Sequence, residues 1–418
     1  MRPEPFTLER FFARHEFSAR YLLSSSDCQG LSMADLVAGA DPDLRARWQT
    51  LRLGYTESQG LPELRAEIAT LYESVAADDI LVAAPEEAIF LAMNAILEPG
   101  DHVVCTFPGY QSLYELARSI GCEVDLWKPL EGAAGPGEDE DEDERLWWFD
   151  PADLENLLRP DTKLVVWNFP HNPTGALASQ EDFARMIAAA QAVGAWVFSD
   201  EMYRLLEPSE DLRLPAGVDL YDKAVSLSGM SKAFGLAGLR LGWVVTHNAP
   251  LLERMKTLKD YTTICSSAPS ELLALMGLRS REAILAGNRD LVRRNAEAAA
   301  GFFARHGSVL SWVPPQAGTV CFPRLEEGHA ARHAARHAVQ ATLHGAKWMT
   351  EHGAPSVTAP GPDAEAFCAR ILRDTGVLLL PSTVYDFGNE HFRMGLGRED
   401  FKTGLAVLDA YLGNAAAG

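Results

Sequence analysis

The stretch SLSGMSKAFGLAGLRLGW, residues 226–243, sets one lysine, Lys232, and one arginine, Arg240, among glycine, serine and apolar residues. A lysine is rarely fully buried unless something pairs with it, so one reading is a surface amine beside a core strand. The other is an amine whose pKa is lowered by its surroundings so that it can attack a carbonyl carbon. The rest of the chain decides between them.

Working outward, short apolar runs alternate with helical patterns. DILVAA (79–84) precedes PEEAIFLAMNAIL, HVVCTF (102–107) precedes YQSLYELARSI, and KLVVWNF (163–169) precedes QEDFARMIAAAQAVG. AWVFSD (195–200) and KAVSLS (223–228) add strands. This alternation predicts an α/β fold, three layers around a mostly parallel sheet, with ligands beyond the carboxyl ends of the strands. After about Asn288 a long helix, RDLVRRNAEAAAGFFARHG, and the strands VLSWVP, AGTVCFPRL, GVLLLP and HFRMGLG predict a smaller α/β domain. The expected organisation is an N-terminal arm with part of the small domain over 1–46, a large domain over 47–287 and the small domain over 288–418. An acidic loop is expected at 131–145 and an insertion at about 325–362.

The 418 residues are 47% hydrophobic and 23% charged, as in an ordinary globular protein. A net charge of -21 argues against a nucleic-acid partner, which needs clustered Lys and Arg. The acidic run EDEDEDE, 138–144, reads as a solvated loop. Six scattered cysteines without a C-x-x-C pair fit a reducing cytoplasm. The N-terminus has no apolar signal core and no run has membrane length, so neither export nor a membrane partner is expected. HAARHAARHAV puts His329, His333 and His337 on one helical face, but no carboxylate or cysteine joins them. A solvated helix is expected there, and no metal.

Four further signals carry chemistry. NFPHNPTGA, 168–176, follows a strand and fixes a rigid turn able to aim the Asn172 amide into a cleft. SDEMYR, 199–204, places Asp200 at a strand's carboxyl end and Tyr203 three residues on. A carboxylate there can partner a protonated ring nitrogen, and a tyrosine hydroxyl a phenolic oxygen. Arg240 supplies a planar fork suited to phosphate, and Arg393 in HFRMGLG one suited to a carboxylate.

Together the ordered N-P-T-G, D-x-x-Y, S-K with Arg eight residues on, and C-terminal Arg resemble the fold-type-I pyridoxal-phosphate (PLP) enzymes, specifically the class I/II aminotransferase family. The resemblance spans about Leu51 to Arg398. It implies that Lys232 forms the Schiff base with pyridoxal 5'-phosphate, that Asp200 pairs the pyridine nitrogen, and that Asn172 and Tyr203 hold the ring oxygen. It gives Arg240 to the phosphate, Arg393 to the substrate carboxylate and Tyr110, in FPGYQSLY, to stacking on the ring; Ser231, near the phosphate but out of register with the family's serine, is a further cofactor-binding candidate. LGYTESQGLPELR resembles the family's Y-x-x-x-x-G segment, whose tyrosine, here Tyr55, would reach the neighbouring subunit's phosphate and substrate, which implies a homodimer with shared active sites.

The phosphate cup departs from the family pattern: Ala84, Pro85, Glu86 and Glu87 replace a Gly-rich or Ser/Thr-bearing turn. Proline has no N–H to give and a carboxylate repels phosphate unless turned away, which leaves the backbone amides of Glu86 and Glu87 at the helix start. Gly229 stands where the family often has a phosphate-binding serine.

The expected function is amino transfer between an L-amino acid and a 2-oxo acid, as part of amino-acid metabolism. LLSSSDCQGLS (22–32) and KDYTTICSSAPSE (259–271) are also similar to the branch that includes capreomycidine synthase. That branch implies elimination and cyclisation of a hydroxylated arginine, with Ser24 to Cys28, Ser26 among them, and Thr262 to Ser266 lining the substrate pocket. A non-catalytic ligand sensor is the third reading; retained Lys232 and Asp200 and the lack of a basic DNA-binding segment count against it.

Overall fold

The computed structural model describes residues 2–133, 145–326 and 362–417. The acidic run 138–144, the three histidines and most of the expected insertion lie outside them. Near the N-terminus stands α1 (Thr7–His15). The central sheet holds β1 (Ile80–Ala83), β2 (His102–Thr106), β3 (Glu123–Trp127), β4 (Thr162–Asn168), β5 (Trp196–Asp200), β6 (Ala224–Gly229) and β7 (Gly242–Val245). Their order across the seven-stranded sheet is β1-β7-β6-β5-β4-β2-β3. Pairs β2/β3, β2/β4, β4/β5 and β5/β6 are parallel, and β7 runs antiparallel to both β6 and β1. The α/β class is therefore as expected. Two strands are additional to the sequence reading: β3 at the edge and β7 inside the glycine-rich stretch.

The inner strands are buried on both faces, which is why they read as continuous apolar runs. Helix α2 (Pro85–Ile96) and the helix Ala268–Arg279 bury Ala88, Leu91, Ala92, Leu272 and Leu275 on one side. Gln180–Val193 buries Phe183, Met186 and Ile187 on the other, and each such large side chain contributes about 1.5–3 kcal/mol. Ser179 caps that helix by accepting from the Asp182 N–H, and Gly194 ends it in the left-handed conformation.

A second group of elements packs around Leu23, Phe302, Phe367 and Phe392. It contains the helices Arg281–Arg305, Ala364–Thr375 and Phe401–Ala417 and a three-stranded sheet of Val320–Cys321, Phe392–Gly395 and Leu380–Pro381. Here the segment Ser24–Cys28 crosses the strand that carries Arg393. A Cβ on Gly395 would lie 1.7 Å from the Ser25 carbonyl oxygen, so that crossing requires glycine. The expected loop at 131–145 begins and ends in strand: Leu130–Ala133 pairs antiparallel with Arg145–Trp148.

Candidate active site

Register assembles the site. Asn168 at the end of β4 lies beside Asp200 at the end of β5, which lies beside Leu227 in β6. Beyond these ends opens a cavity of about 440 Å³. Its wall includes Asn172, Asp200, Tyr203, Ser231, Lys232, Arg240, Tyr110, Pro85, Glu86, Ser26 and Arg393. Distant stretches of sequence meet here; of the candidate residues Tyr55 stands apart, 91% exposed on the surface, and Thr262 to Ser266, expected to line the substrate pocket, are not part of this wall.

Lys232 follows β6 in a tight turn, where the Gly235 N–H donates to the Lys232 carbonyl and the Leu236 N–H to that of Met230. The Lys232 Nζ donates to Ser26 Oγ at 2.8 Å and lies 5.9 Å from the centre of the Tyr203 ring. Burial lowers its pKa against the opposing pull of Asp27, while Arg393 lowers it further. A larger fraction of the amine is therefore unprotonated and nucleophilic at neutral pH. Asp200 is buried and its carboxyl is pushed up to about 7 by desolvation, against a Met202 N–H donated at 3.1 Å and the Lys232 charge.

Asn172 sits between two cis prolyl bonds' worth of turn, with Phe169-Pro170 and Asn172-Pro173 both cis. Its N–H donates to Asn168 Oδ1 at 2.8 Å, and neighbouring His171 is locked by Thr174 and the Pro108 carbonyl, its pKa pushed down to about 3 by burial. Arg393 is 1% exposed and has no carboxylate partner among the described residues. Its Nε and Nη2 donate to the Ser24 carbonyl at 3.2 and 2.7 Å, and Nη1 donates to Asn172 Oδ1 at 3.1 Å. Arg240 is exposed and left-handed at φ 51°, a conformation that costs a non-glycine residue about 1 kcal/mol or more and that recurs at functional sites.

At the cup, Pro85 opens α2. Glu87 turns away from the cavity and accepts from the Thr263 hydroxyl at 2.8 Å and from Thr262. Glu86 is tied to the Ser112 hydroxyl and burial raises its pKa, so the repulsion expected of a carboxylate at this place is reduced. Gly229 has a steric reason: a Cβ there would lie 2.9 Å from the Gly242 Cα and 3.2 Å from the Leu241 carbonyl oxygen. Close β6–β7 pairing excludes any side chain.

These groups fit pyridoxal phosphate. The Tyr203 hydroxyl is buried near Ser26 without a hydrogen bond of normal geometry, the Ser231 hydroxyl is buried and unpaired, and the Asn172 Nδ2 makes no hydrogen bond among the described residues. Such groups suit a polar ligand placed between them. Asp200 suits a ring nitrogen, and Tyr110 offers an aromatic face.

Sequence reasoning missed α1. It contributes Leu8, Glu9, Phe12 and Glu16 to the cavity wall, with the Tyr110 hydroxyl donating to Glu9 Oε1 at 3.2 Å and the Thr7 N–H to Gln111 Oε1 at 2.9 Å. It also missed Tyr385, which reaches both Arg393 and Asn172. Neither is marked by a motif; both depend on how distant segments pack.

This chain belongs to the class I and II aminotransferases, whose family model matches residues 21–402, and its cofactor is pyridoxal 5'-phosphate. Capreomycidine synthase of Streptomyces vinaceus is 28% identical over 98% of this chain and 94% of its own. Among solved structures, a PLP-dependent aminotransferase from Streptococcus suis matches with TM-score 0.81 and 28% identity over 99% of both chains. The PLP-dependent cyclase OrfR matches with TM-score 0.80 and 29% identity over 99% of this chain and 98% of that one. No helix among the described residues is long and apolar enough to cross a membrane.

Proposed function

We propose that this protein transfers the amino group of an α-amino acid with a cationic side chain to a 2-oxo acid. The observation that carries the substrate class is the distribution of charge in the cavity. Glu9 and Glu16 have no ion-pair partner among the described residues, and Asp27 is engaged by Arg398 at 2.7 Å. Burial and the nearby Asp27 charge raise the Glu16 pKa, which an incoming cation would reverse. Arg393, by contrast, is a buried cation without an acidic partner. An amino acid with one carboxylate and a cationic far end satisfies both.

Bound in this cavity, pyridoxal phosphate supplies an electron sink for the charge left at the substrate's Cα when its proton departs. Lys232 is the covalent anchor and the base that removes and returns that proton. Asp200 holds a proton at the ring nitrogen, while Asn172 and Tyr203 donate to the ring oxygen. Arg240, Ser231 and the amides of Glu86 and Glu87 at the start of α2 take the phosphate, with Pro85 contributing shape and no N–H. Tyr110 covers one ring face and excludes water from it. Arg393 docks the substrate carboxylate, and Ser26 holds the Lys232 amine near it. In a homodimer the exposed Tyr55 of each subunit completes the other's phosphate and substrate site. The cytoplasm is the compartment this reading assigns, in keeping with six free cysteines.

A second reading, expulsion of a Cβ substituent followed by ring closure, is favoured by the likeness to capreomycidine synthase and OrfR. It needs the same docking and the same proton removal. The test is product analysis of the PLP-loaded protein with L-arginine and pyruvate. Amino transfer yields alanine and 5-guanidino-2-oxopentanoate in equal amounts. Absence of both, with loss of water from 3-hydroxyarginine, refutes transfer and supports the second reading.

A further inference from the structure

We propose that Tyr385 is a positioning residue that locks the Arg393 guanidinium and the Asn172 amide into one unit, so that substrate docking and cofactor contact are set together. It ends the turn Ser382–Tyr385, and its side chain is 2% exposed. Its hydroxyl accepts from Arg393 Nη1 at 2.6 Å and donates to Asn172 Oδ1 at 3.2 Å. Arg393 Nη1 donates to the same Oδ1 at 3.1 Å, closing a triangle.

A guanidinium has only donors, so the end of the Asn172 amide that meets it must be the oxygen. The tyrosine proton adds a second donor to that oxygen. With Oδ1 held twice, the Nδ2 end is turned the other way, where it makes no hydrogen bond among the described residues. The Ser24 carbonyl occupies Nε and one Nη2 proton, and the triangle occupies both Nη1 protons. One Nη2 proton is left to begin the contact with an incoming carboxylate. Phenylalanine at 385 would keep the ring packing but leave a buried Nη1 proton unpaired, free to swing toward Asn172 alone and carry the amide with it.

This inference rests on the reading that Arg393 takes the substrate carboxylate and Asn172 the cofactor's ring oxygen. The test compares PLP-loaded wild type and Tyr385→Phe by two readouts other than turnover. One is calorimetric binding of valerate, a carboxylate with neither amine nor cationic end. The other is the pH midpoint of the bound cofactor's visible absorbance, with thermal unfolding as the check that the fold is retained. The expected result is valerate binding weakened about tenfold, the scale of one hydrogen bond to a charged group, together with a displaced midpoint. Equal valerate affinity and an unchanged midpoint in Tyr385→Phe overturn the proposal alone. If wild type binds PLP but no valerate, the Arg393 reading fails, and this proposal with it.

Discussion

Replacing Asp200 by asparagine probes a buried carboxyl of the cavity whose titration is set by its surroundings. In the absence of cofactor its carboxyl titrates near 7 instead of the ordinary 3.8, chiefly because burial disfavours the charged form. The folded protein therefore keeps a proton that the unfolded chain has already lost, and stability falls as pH rises from about 4 through 7. Between pH 5.5 and pH 8 that loss grows by about 2 kcal/mol for a shift of this size. Lys232 acts in the opposite sense, since a lowered lysine pKa makes the folded state gain stability with rising pH. Lys232 is present in both proteins, so comparing them isolates Asp200 apart from their mutual coupling. Urea unfolding of cofactor-free wild type and Asp200→Asn at the two pH values should show the wild type losing about 2 kcal/mol more than the variant on going to pH 8. Added PLP should close most of that gap in wild type, because a protonated ring nitrogen holds the carboxylate charged. Parallel pH dependence in the two proteins would refute the argument that burial of this carboxyl sets its titration.

Two further outcomes follow from the same geometry. Gly229→Ala should destabilise the protein by about 1–3 kcal/mol in thermal or urea unfolding, because its Cβ would meet the backbone of Gly242 and Leu241 rather than a flexible side chain; unchanged stability would contradict the close β6–β7 pairing. Borohydride reduction of the PLP-loaded protein followed by peptide mapping should label Lys232 alone, and Lys232→Ala should carry no label; a label on another lysine would displace Lys232 as the anchor.

Much of this site was legible in the chain because its groups sit at fixed offsets from apolar runs. Asp200, Asn168 and Lys232 come at or just after strand ends, and a parallel sheet in register delivers such positions to one edge. Strand β7 was hidden because its residues, Gly242–Val245, continue a glycine-rich segment, and β3 because EVDLW is half-exposed at the sheet's edge. Helix α1 and Tyr385 were illegible for another reason. Their roles come from contacts with residues about a hundred or more positions away for Glu9 and Tyr110, and about two hundred for Tyr385 and Asn172. At position 229 the reason for glycine, contact with Gly242, is visible only once the strands are paired.

Competition between L-arginine and L-aspartate tests the central claim most directly, measured as the rate at which each changes the absorbance of the PLP-loaded protein. Wild type should favour arginine strongly, and the double variant Glu9→Gln/Glu16→Gln should lose most of that preference while still reacting with uncharged amino acids. A wild type that prefers aspartate, or a preference for arginine untouched by removing both carboxylates, would contradict the account.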